Sequence, residues 1–135
     1  MPPTLHRSVW TAIYYVPFLI LCGIIFWLSS MSNPPIPEPM RFPGADKILH
    51  GIAFAAVGAA AALGSMVRRN RLGLEVFLEA WILTAIYGFL DEVHQRFTPS
   101  RSSDITDWFA DIIGAAVGVL LFSAAAKAAR WVAKR

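Results

Sequence analysis

Long apolar runs alternate with short polar segments along the whole chain. Four of these runs are long enough to cross the hydrocarbon core of a bilayer as a helix, which takes about 17 to 25 residues. They cover residues 9–28, 48–66, 74–90 and 108–126. The pattern predicts an all-α membrane protein, a bundle of four transmembrane helices in which residues 1–135 form a single membrane domain.

The first run has a competing interpretation as a secretory signal peptide, because Ser30 and Ser32 offer small residues for cleavage. Its apolar stretch, however, is longer than the core of about 7 to 15 residues that is typical of such a peptide. We therefore expect a retained transmembrane helix.

The segments between the runs have the composition of loops. Residues 29–47 contain five prolines, which excludes a helix or a central strand and predicts an extended loop. We expect this loop to end at Asp46, as the N-cap of the second helix. The polar segment before the fourth run offers Ser103 or Asp104 as the N-cap of the last helix.

The composition agrees with a membrane protein. Hydrophobic residues make up 56% of the chain and charged residues only 16%, with a mean hydropathy of +0.53, whereas a soluble domain is about one quarter charged. The net charge of +3 forms no basic helix face, so we expect no nucleic-acid partner. Cys22 is the single cysteine and has the character of a small buried hydrophobe.

The distribution of positive charge predicts an orientation. Eight Lys and Arg side chains fall on one side of the four-span arrangement: Arg7, Arg68, Arg69, Arg71, Lys127, Arg130, Lys134 and Arg135. Four fall on the other side: Arg41, Lys47, Arg96 and Arg101. Positive charge concentrates on the cytoplasmic side of membrane proteins, so we expect both termini to be cytoplasmic and the loop after the first helix to lie outside.

Residues 89–114 concentrate seven charged side chains beside apolar runs. Within the fourth helix, Asp107, Asp111, Gly114 and Gly118 follow a spacing of 4, 3 and 4 and therefore form one stripe. Its two glycines form a pair of small residues four apart, which lets helices approach closely in membranes. The stripe predicts a tight helix contact that continues into a buried polar end.

The second helix carries a matching stripe of small residues, Gly51, Ala55, Gly58 and Ala62. Packing the two stripes together would bring Asp111 towards Lys47 and His50. The outer ends of the second, third and fourth helices should thus surround one polar pocket. The predicted ligand-binding residues are Asp46, Lys47, His50, Asp91, Glu92, Gln95, Arg101, Asp107 and Asp111.

Two sequence blocks resemble the VanZ-like family of small bacterial integral membrane proteins. The first is Asp-Lys-x-x-His at the start of a helix, matched by Asp46, Lys47 and His50. The second is Asp-Glu-x-x-Gln-x-Phe ahead of an Arg and a helix of Asp-x-x-x-Asn-x-x-Gly type. It is matched by Asp91, Glu92, Gln95, Phe97, Arg101, Asp107, Gly114 and Gly118. Asp111 departs from the pattern, which has Asn at that position.

The resemblance implies a multi-pass protein of the bacterial cytoplasmic (inner) membrane with a role in the cell envelope. The family namesake is associated with low-level resistance to the glycopeptide teicoplanin, and no settled reaction comes with it. The partners implied are membrane lipids and a lipid-linked envelope intermediate or a glycopeptide. Whether the protein forms a homo-oligomer stays open, and no cofactor is identified.

Two kinds of function compete for the predicted pocket. In the first, a binding module recognises a lipid headgroup, with Lys47 and Arg101 neutralising the carboxylates and accepting an anionic group. In the second, a membrane-embedded hydrolase or transferase acts on a lipid-linked substrate, with His50 or Glu92 as general base. The binding module is favoured because no nucleophile motif surrounds Ser102 or Ser103. Whether the protein is an enzyme stays open.

A metal site was considered with four ligands, Asp46, His50, Asp91 and Glu92. No strong ligand spacing such as His-Glu-x-x-His supports it, so no metal ligand is predicted.

Other polar side chains have structural interpretations. We expect Glu75 and Glu79 to pair with the arginines that precede them, and His94 and Arg96 to face solvent or headgroups. The tryptophans near helix ends should anchor the interfaces; these are Trp10, Trp27, Trp108 and Trp131.

Overall fold

The computed structural model describes residues 3–36 and 38–135, and the side chains of residues 9–36, 38–39 and 41–135. Pro37 of the predicted loop and the side chain of Arg7 lie outside this description. The helices are α1 (Pro3–Tyr14), α2 (Val16–Ser29), α3 (Ala45–Arg69), α4 (Leu74–Gln95) and α5 (Ile105–Val132), with a 3-10 turn at Glu38–Met40. The prediction of an all-α protein is confirmed.

Three helical stretches in the described part of the chain have the length and apolar composition of membrane spans. They are Val9–Ser29, Ala45–Arg69 and Ile105–Val132, so the protein is a multi-pass membrane protein. The 22 residues of α4 carry four carboxylates, Glu75, Glu79, Asp91 and Glu92, and α4 is not among the three. A fourth span at α4 stays a prediction.

The first predicted helix is interrupted at Tyr15. Pro17 has no backbone N–H to donate to Ile13, and it disfavours the helical conformation of the residue before it. The Tyr15 N–H instead donates to the Ala12 carbonyl at 3.1 Å, a tighter i to i−3 bond. The predicted membrane-spanning stretch over residues 9–28 is confirmed as Val9–Ser29, with a one-residue interruption of the helix at Tyr15.

The remaining helices extend beyond their apolar runs, since charged side chains at a membrane interface continue a helix as well as apolar ones do. The predicted N-cap of the second helix was wrong: Gly44, with φ +84°, precedes α3, and Asp46 lies in its first turn. The predicted cap of the last helix is confirmed for Asp104, whose Oδ1 accepts from the Thr106 N–H at 2.9 Å.

The predicted contact between the glycine stripes is confirmed as the contact of α3 with α5. A Cβ at Gly118 would overlap the Ala55 carbonyl, and one at Gly114 would overlap the Gly51 carbonyl. A Cβ at Gly58 would lie 2.6 Å from the Ala115 carbonyl oxygen. We call this contact the glycine seam. It holds the two longest helices backbone to backbone.

Helix α4 packs beside this pair and also bonds to α2. The indole nitrogens of Trp81 and Trp108 donate to carbonyl oxygens across the α4–α5 contact, each at 3.0 Å. The Tyr87 hydroxyl donates to the Cys22 carbonyl of α2 at 2.6 Å. Of the residues of α2, only Phe18 and Ser29 are buried. Helix α2 therefore lies at the edge of the bundle.

One end of the bundle, which we call the arginine end, holds the α3–α4 turn. Glu79 pairs with Arg68 and Arg69 and accepts from the Tyr15 hydroxyl at 2.8 Å. Glu75 pairs with the arginine four residues before it at 2.5 Å. The expected partners of both glutamates are confirmed.

Candidate functional site

Four helix termini meet at the opposite end, which we call the site end: the last residues of α2 and α4 and the first residues of α3 and α5. The Ser29 Oγ donates to Asp91 Oδ2 at 3.0 Å, which joins α2 to α4. The Lys47 Nζ donates to Asp107 Oδ1 at 2.9 Å, which joins α3 to α5. The topology thus brings together two polar segments that lie some forty residues apart in the sequence.

A cavity of about 420 Å³ opens between these termini. Its walls come from α2, the proline loop, α3, α4, the loop before α5 and the first turn of α5. The lining residues are Ile25, Leu28, Ser29, Pro34, Pro35, Ile36, Asp46, Leu49, His50, Ala53, Phe54, Asp91, Gln95, Ser100, Arg101, Ser102 and Asp107. The lining therefore combines a group of apolar side chains with a group of polar ones.

A histidine–aspartate pair crosses the glycine seam at the edge of the cavity. Nδ1 of His50 lies 2.9 Å from Oδ1 of Asp111, a residue with no exposed surface. The same nitrogen lies 4.0 Å from Oε1 of Glu92. The stripe geometry predicted Asp111 next to His50, and the two side chains do lie together, because one glycine-lined face carries both Asp111 and Gly114.

A second polar group connects α2, α4 and the following loop. The Gln95 Nε2 donates to Asp91 Oδ2 at 2.8 Å, and the Arg101 Nη2 donates to Gln95 Oε1 at 2.8 Å. The Thr98 hydroxyl donates to the Ser29 carbonyl at 3.1 Å. Among the side chains described, Arg101 forms no ion pair, so its expected role in neutralising the carboxylates was wrong: the loop directs its guanidinium to an amide oxygen.

Lys47 has the neutralising role that was expected of both cations. Besides Asp107, its Nζ lies 3.1 Å from Asp46 Oδ2 and 3.5 Å from Asp104 Oδ2. Outside the helices, the Thr106 N–H bond together with nearby Lys47 lowers the pKa of Asp104 below its ordinary value. Asp104 therefore stays charged at neutral pH.

Glu92 is held on one side only. Its Oε2 accepts from the Asp104 N–H at 3.1 Å and from the Ser103 hydroxyl at 3.3 Å. Its Oε1 is buried and has no hydrogen-bond partner. The loop before α5 thus fixes the carboxyl group and leaves one oxygen directed at His50.

Three buried carboxyl oxygens at the site end lack a hydrogen-bond partner: Asp91 Oδ1, Glu92 Oε1 and Asp111 Oδ2. Buried polar atoms are nearly always paired, and leaving one unpaired costs about 1–3 kcal/mol. A proton, a cation or a donor group from another molecule would therefore stabilise each of these oxygens.

The VanZ/LLP1 family profile matches residues 5–126, most of the chain. The chain belongs to the VanZ/LLP1 family. No curated protein and no solved structure matches it.

In this VanZ/LLP1 protein, the nine predicted site residues are distributed over two layers. Six line the cavity: Asp46, His50, Asp91, Gln95, Arg101 and Asp107. The other three, Lys47, Glu92 and Asp111, do not line it and contact the lining residues from behind.

Sequence reasoning missed Ser29 as a residue of the site. It is buried and donates to Asp91, although it is the last residue of an apolar helix. Ser29 is the first polar residue after a long uncharged run, and this position could have indicated a role at the end of the helix. His94 was expected to face solvent or headgroups, but its Nε2 lies 3.0 Å from the Ser30 hydroxyl and its ring contacts Phe26.

The departure at Asp111 has a definite chemical consequence. An ionised carboxylate only accepts hydrogen bonds, so His50 must present its Nδ1 as a donor. The amide of an Asn could instead donate to that nitrogen. With Asp111 ionised, the Nε2 of His50 carries a lone pair in the neutral ring.

Proposed function

We propose that the site end of this VanZ/LLP1 protein binds the polar headgroup of a membrane amphiphile, either a lipid or a lipid-linked envelope intermediate. The observation that carries the proposal is the amphipathic lining of a single cavity at helix ends. A cavity of about 420 Å³ falls within the range of about 300–1,000 Å³ that is usual for small-molecule sites.

The apolar wall suits the first part of an acyl or isoprenyl chain. It is formed by Ile25 and Leu28 of α2 together with Leu49, Ala53 and Phe54 of α3. Both helices belong to spans, so this wall continues into membrane-spanning surface. A lipid could place its headgroup in the cavity while its chains stay in hydrocarbon.

The polar wall suits a headgroup that carries both an anionic group and hydrogen-bond donors. Arg101 supplies a guanidinium that forms no ion pair in the described structure and matches the geometry of a phosphate. The unpaired Asp91 Oδ1 would accept from a hydroxyl or amino group. The charge asymmetry of the sequence favours the outer side of the membrane for the site end. The proposed ligand is therefore a lipid of the outer leaflet.

A photoreactive phospholipid with a diazirine near its headgroup tests the binding function in nanodiscs. Crosslinks mapped to the cavity-lining peptides are measured by mass spectrometry. Ala53→Trp should reduce them at least fivefold by filling the cavity. Ile52→Trp is the matched control, because Ile52 is the neighbouring residue and is 61% exposed on the outside of α3.

Equal labelling of the cavity peptides in both tryptophan variants and the unsubstituted protein would remove the basis of the proposal. A glycopeptide ligand is a distinct outcome of the same experiment. Added teicoplanin should then abolish the crosslinks at low concentration, with the same dependence on Ala53.

The His50–Asp111 pair favours a second candidate, a hydrolase or transferase that acts on the lipid-linked ligand. A buried carboxylate that holds a histidine ring is a common arrangement for a general base. His50 lines the cavity, where it could activate water or a hydroxyl group. Headgroup release from a fluorescent lipid tests this candidate. Release should fall at least 100-fold in His50→Asn. If the unsubstituted protein releases no headgroup, binding without catalysis is the function that remains.

A further inference from the structure

We infer that His50, Glu92 and Asp107 form a site for one divalent transition-metal ion beside the cavity. One potential ligand atom from each side chain lies within 4.8 Å of the other two. The site deepens the proposed function, because a bound cation would attract the phosphate of a headgroup. Its basis, however, is the arrangement of these side chains and requires no lipid.

Glu92 provides the observation that distinguishes this cluster from an ordinary group of acids. Its side chain is only 6% exposed, and hydrogen bonds from the Asp104 N–H and the Ser103 hydroxyl hold Oε2. Among the described residues its Oε1 has no hydrogen-bond partner, and it lies beside the imidazole ring of His50, 4.0 Å from Nδ1. The two hydrogen bonds to Oε2 fix the whole carboxyl group. They therefore also fix Oε1, which is directed into the cluster.

The spacing of the three ligand atoms is close to that of an occupied site. Zinc binds nitrogen and oxygen ligands at about 2.0–2.2 Å, so the ligand atoms of a tetrahedral site lie about 3.3–3.6 Å apart. Ligand atoms separated by as much as 4.8 Å must approach one another by about 1.2–1.5 Å, a movement shared among the three side chains. Rotamer adjustments of the three side chains supply this without displacing a helix.

Asp111 provides the support that a metal-binding histidine requires. Such a histidine almost always donates its second ring N–H to a carboxylate or a carbonyl group, which fixes the ring and its tautomer. Oδ1 of Asp111 lies 2.9 Å from Nδ1 of His50 and is fully buried. This arrangement leaves Nε2 of His50 as the nitrogen with a free lone pair.

The contact of Lys47 with Asp107 is compatible with the site. Nζ of Lys47 approaches Oδ1 of Asp107 at 2.9 Å, and the second oxygen of Asp107 remains available for a metal. The ammonium group also offsets part of the negative charge that the carboxylates would otherwise concentrate there.

The set of donors selects the class of ion. One imidazole and two carboxylates suit zinc, manganese or iron, whereas calcium and magnesium prefer oxygen ligands alone. Three protein ligands also leave a position open, as in catalytic metal sites. A phosphate or a water molecule would occupy that position.

Binding of Zn²⁺ alone tests the inference by titration calorimetry, with full-length protein that is freed of its affinity tag and treated with EDTA in detergent. We expect one ion per chain, and Glu92→Gln and Asp107→Asn should each weaken binding at least tenfold. Glu75→Gln should leave it unchanged, since Glu75 pairs with Arg71 at the arginine end.

Thermal unfolding with and without Zn²⁺ separates loss of the site from loss of the fold. Each variant should unfold cooperatively in EDTA, and Zn²⁺ should raise the midpoint of the unsubstituted protein and Glu75→Gln only. Absence of saturable binding, or binding that both site variants retain, would overturn the inference. Lipid crosslinking that persists in EDTA would in that case leave the headgroup proposal intact.

Discussion

Substitution of Gly118 by Ala tests the glycine seam with the smallest possible change. The added Cβ would lie 2.6 Å from the carbonyl carbon and 2.8 Å from the Cα of Ala55, whereas ordinary contact begins at 3.4 Å. The neighbouring atoms are backbone, so no side chain can rotate away. The Ala55 carbonyl oxygen lies closer still, so helices α3 and α5 must separate locally by more than 0.8 Å, the difference between 2.6 and 3.4 Å.

Such overpacking costs about 1–3 kcal/mol in well-packed interiors. Alanine has a higher helix propensity than glycine by about 1 kcal/mol, which offsets part of that cost. We expect a net loss of up to about 2 kcal/mol in the free energy of unfolding, measured by SDS titration of purified protein with far-UV circular dichroism. The separation should also weaken the His50–Asp111 hydrogen bond, since it crosses the same contact.

Gly23→Ala is the matched control. Gly23 lies inside α2, and a Cβ there would have no neighbour within 4 Å, so this substitution should be neutral or stabilising. If Gly118→Ala proved as stable as Gly23→Ala, the close backbone approach of α3 and α5 would be refuted.

Three further predictions concern orientation and the two ends of the bundle. In a cysteine-free background, an impermeant thiol reagent should label Glu38→Cys in intact cells and leave Asn70→Cys unlabelled; the reverse pattern would invert the orientation. Glu79→Gln should lower the free energy of unfolding by about 1–3 kcal/mol, because its partly buried carboxylate holds two arginines and a tyrosine hydroxyl; an unchanged SDS midpoint would contradict this. Ser29→Ala should destabilise the protein by about 1–3 kcal/mol, since it removes one of the two donors to the buried Asp91 carboxylate, whereas the neighbouring Ser30→Ala, at an exposed position, should change stability by less than about 0.5 kcal/mol.

Sequence periodicity was sufficient for the parts of the fold that depend on helix faces. Residues spaced 4, 3 and 4 must share a face, so Gly114 and Gly118 indicated the seam, and Asp111 indicated its continuation towards His50. Nearness in the sequence to the arginine-rich α3–α4 turn, rather than periodicity, indicated the partners of Glu79.

Periodicity does not determine where loops direct their side chains. Arg101 and Asp104 belong to the loop before α5, and their contacts with Gln95 and Glu92 depend on the path of that loop. The contact of Arg101 with an amide oxygen in place of a carboxylate, and the fixed orientation of Glu92, therefore could not be predicted from helix faces. The break at Tyr15 is a different case, because Pro17 was visible in the sequence and its effect within an apolar run was underestimated.

Helix α2 and Tyr15, the residue just before it, are attached to α4 at three points that lie seven residues apart: Tyr15, Cys22 and Ser29. Their partners on α4 are Glu79, Tyr87 and Asp91. Seven residues make about two helical turns, so the three bonds follow a single line along α2. In a bilayer, apolar surfaces slide past one another at little cost because lipid replaces the lost contacts, whereas hydrogen bonds have fixed partners. The line therefore sets both the height and the rotation of α2, and a shift by one turn would break all three bonds and withdraw the apolar wall of the cavity.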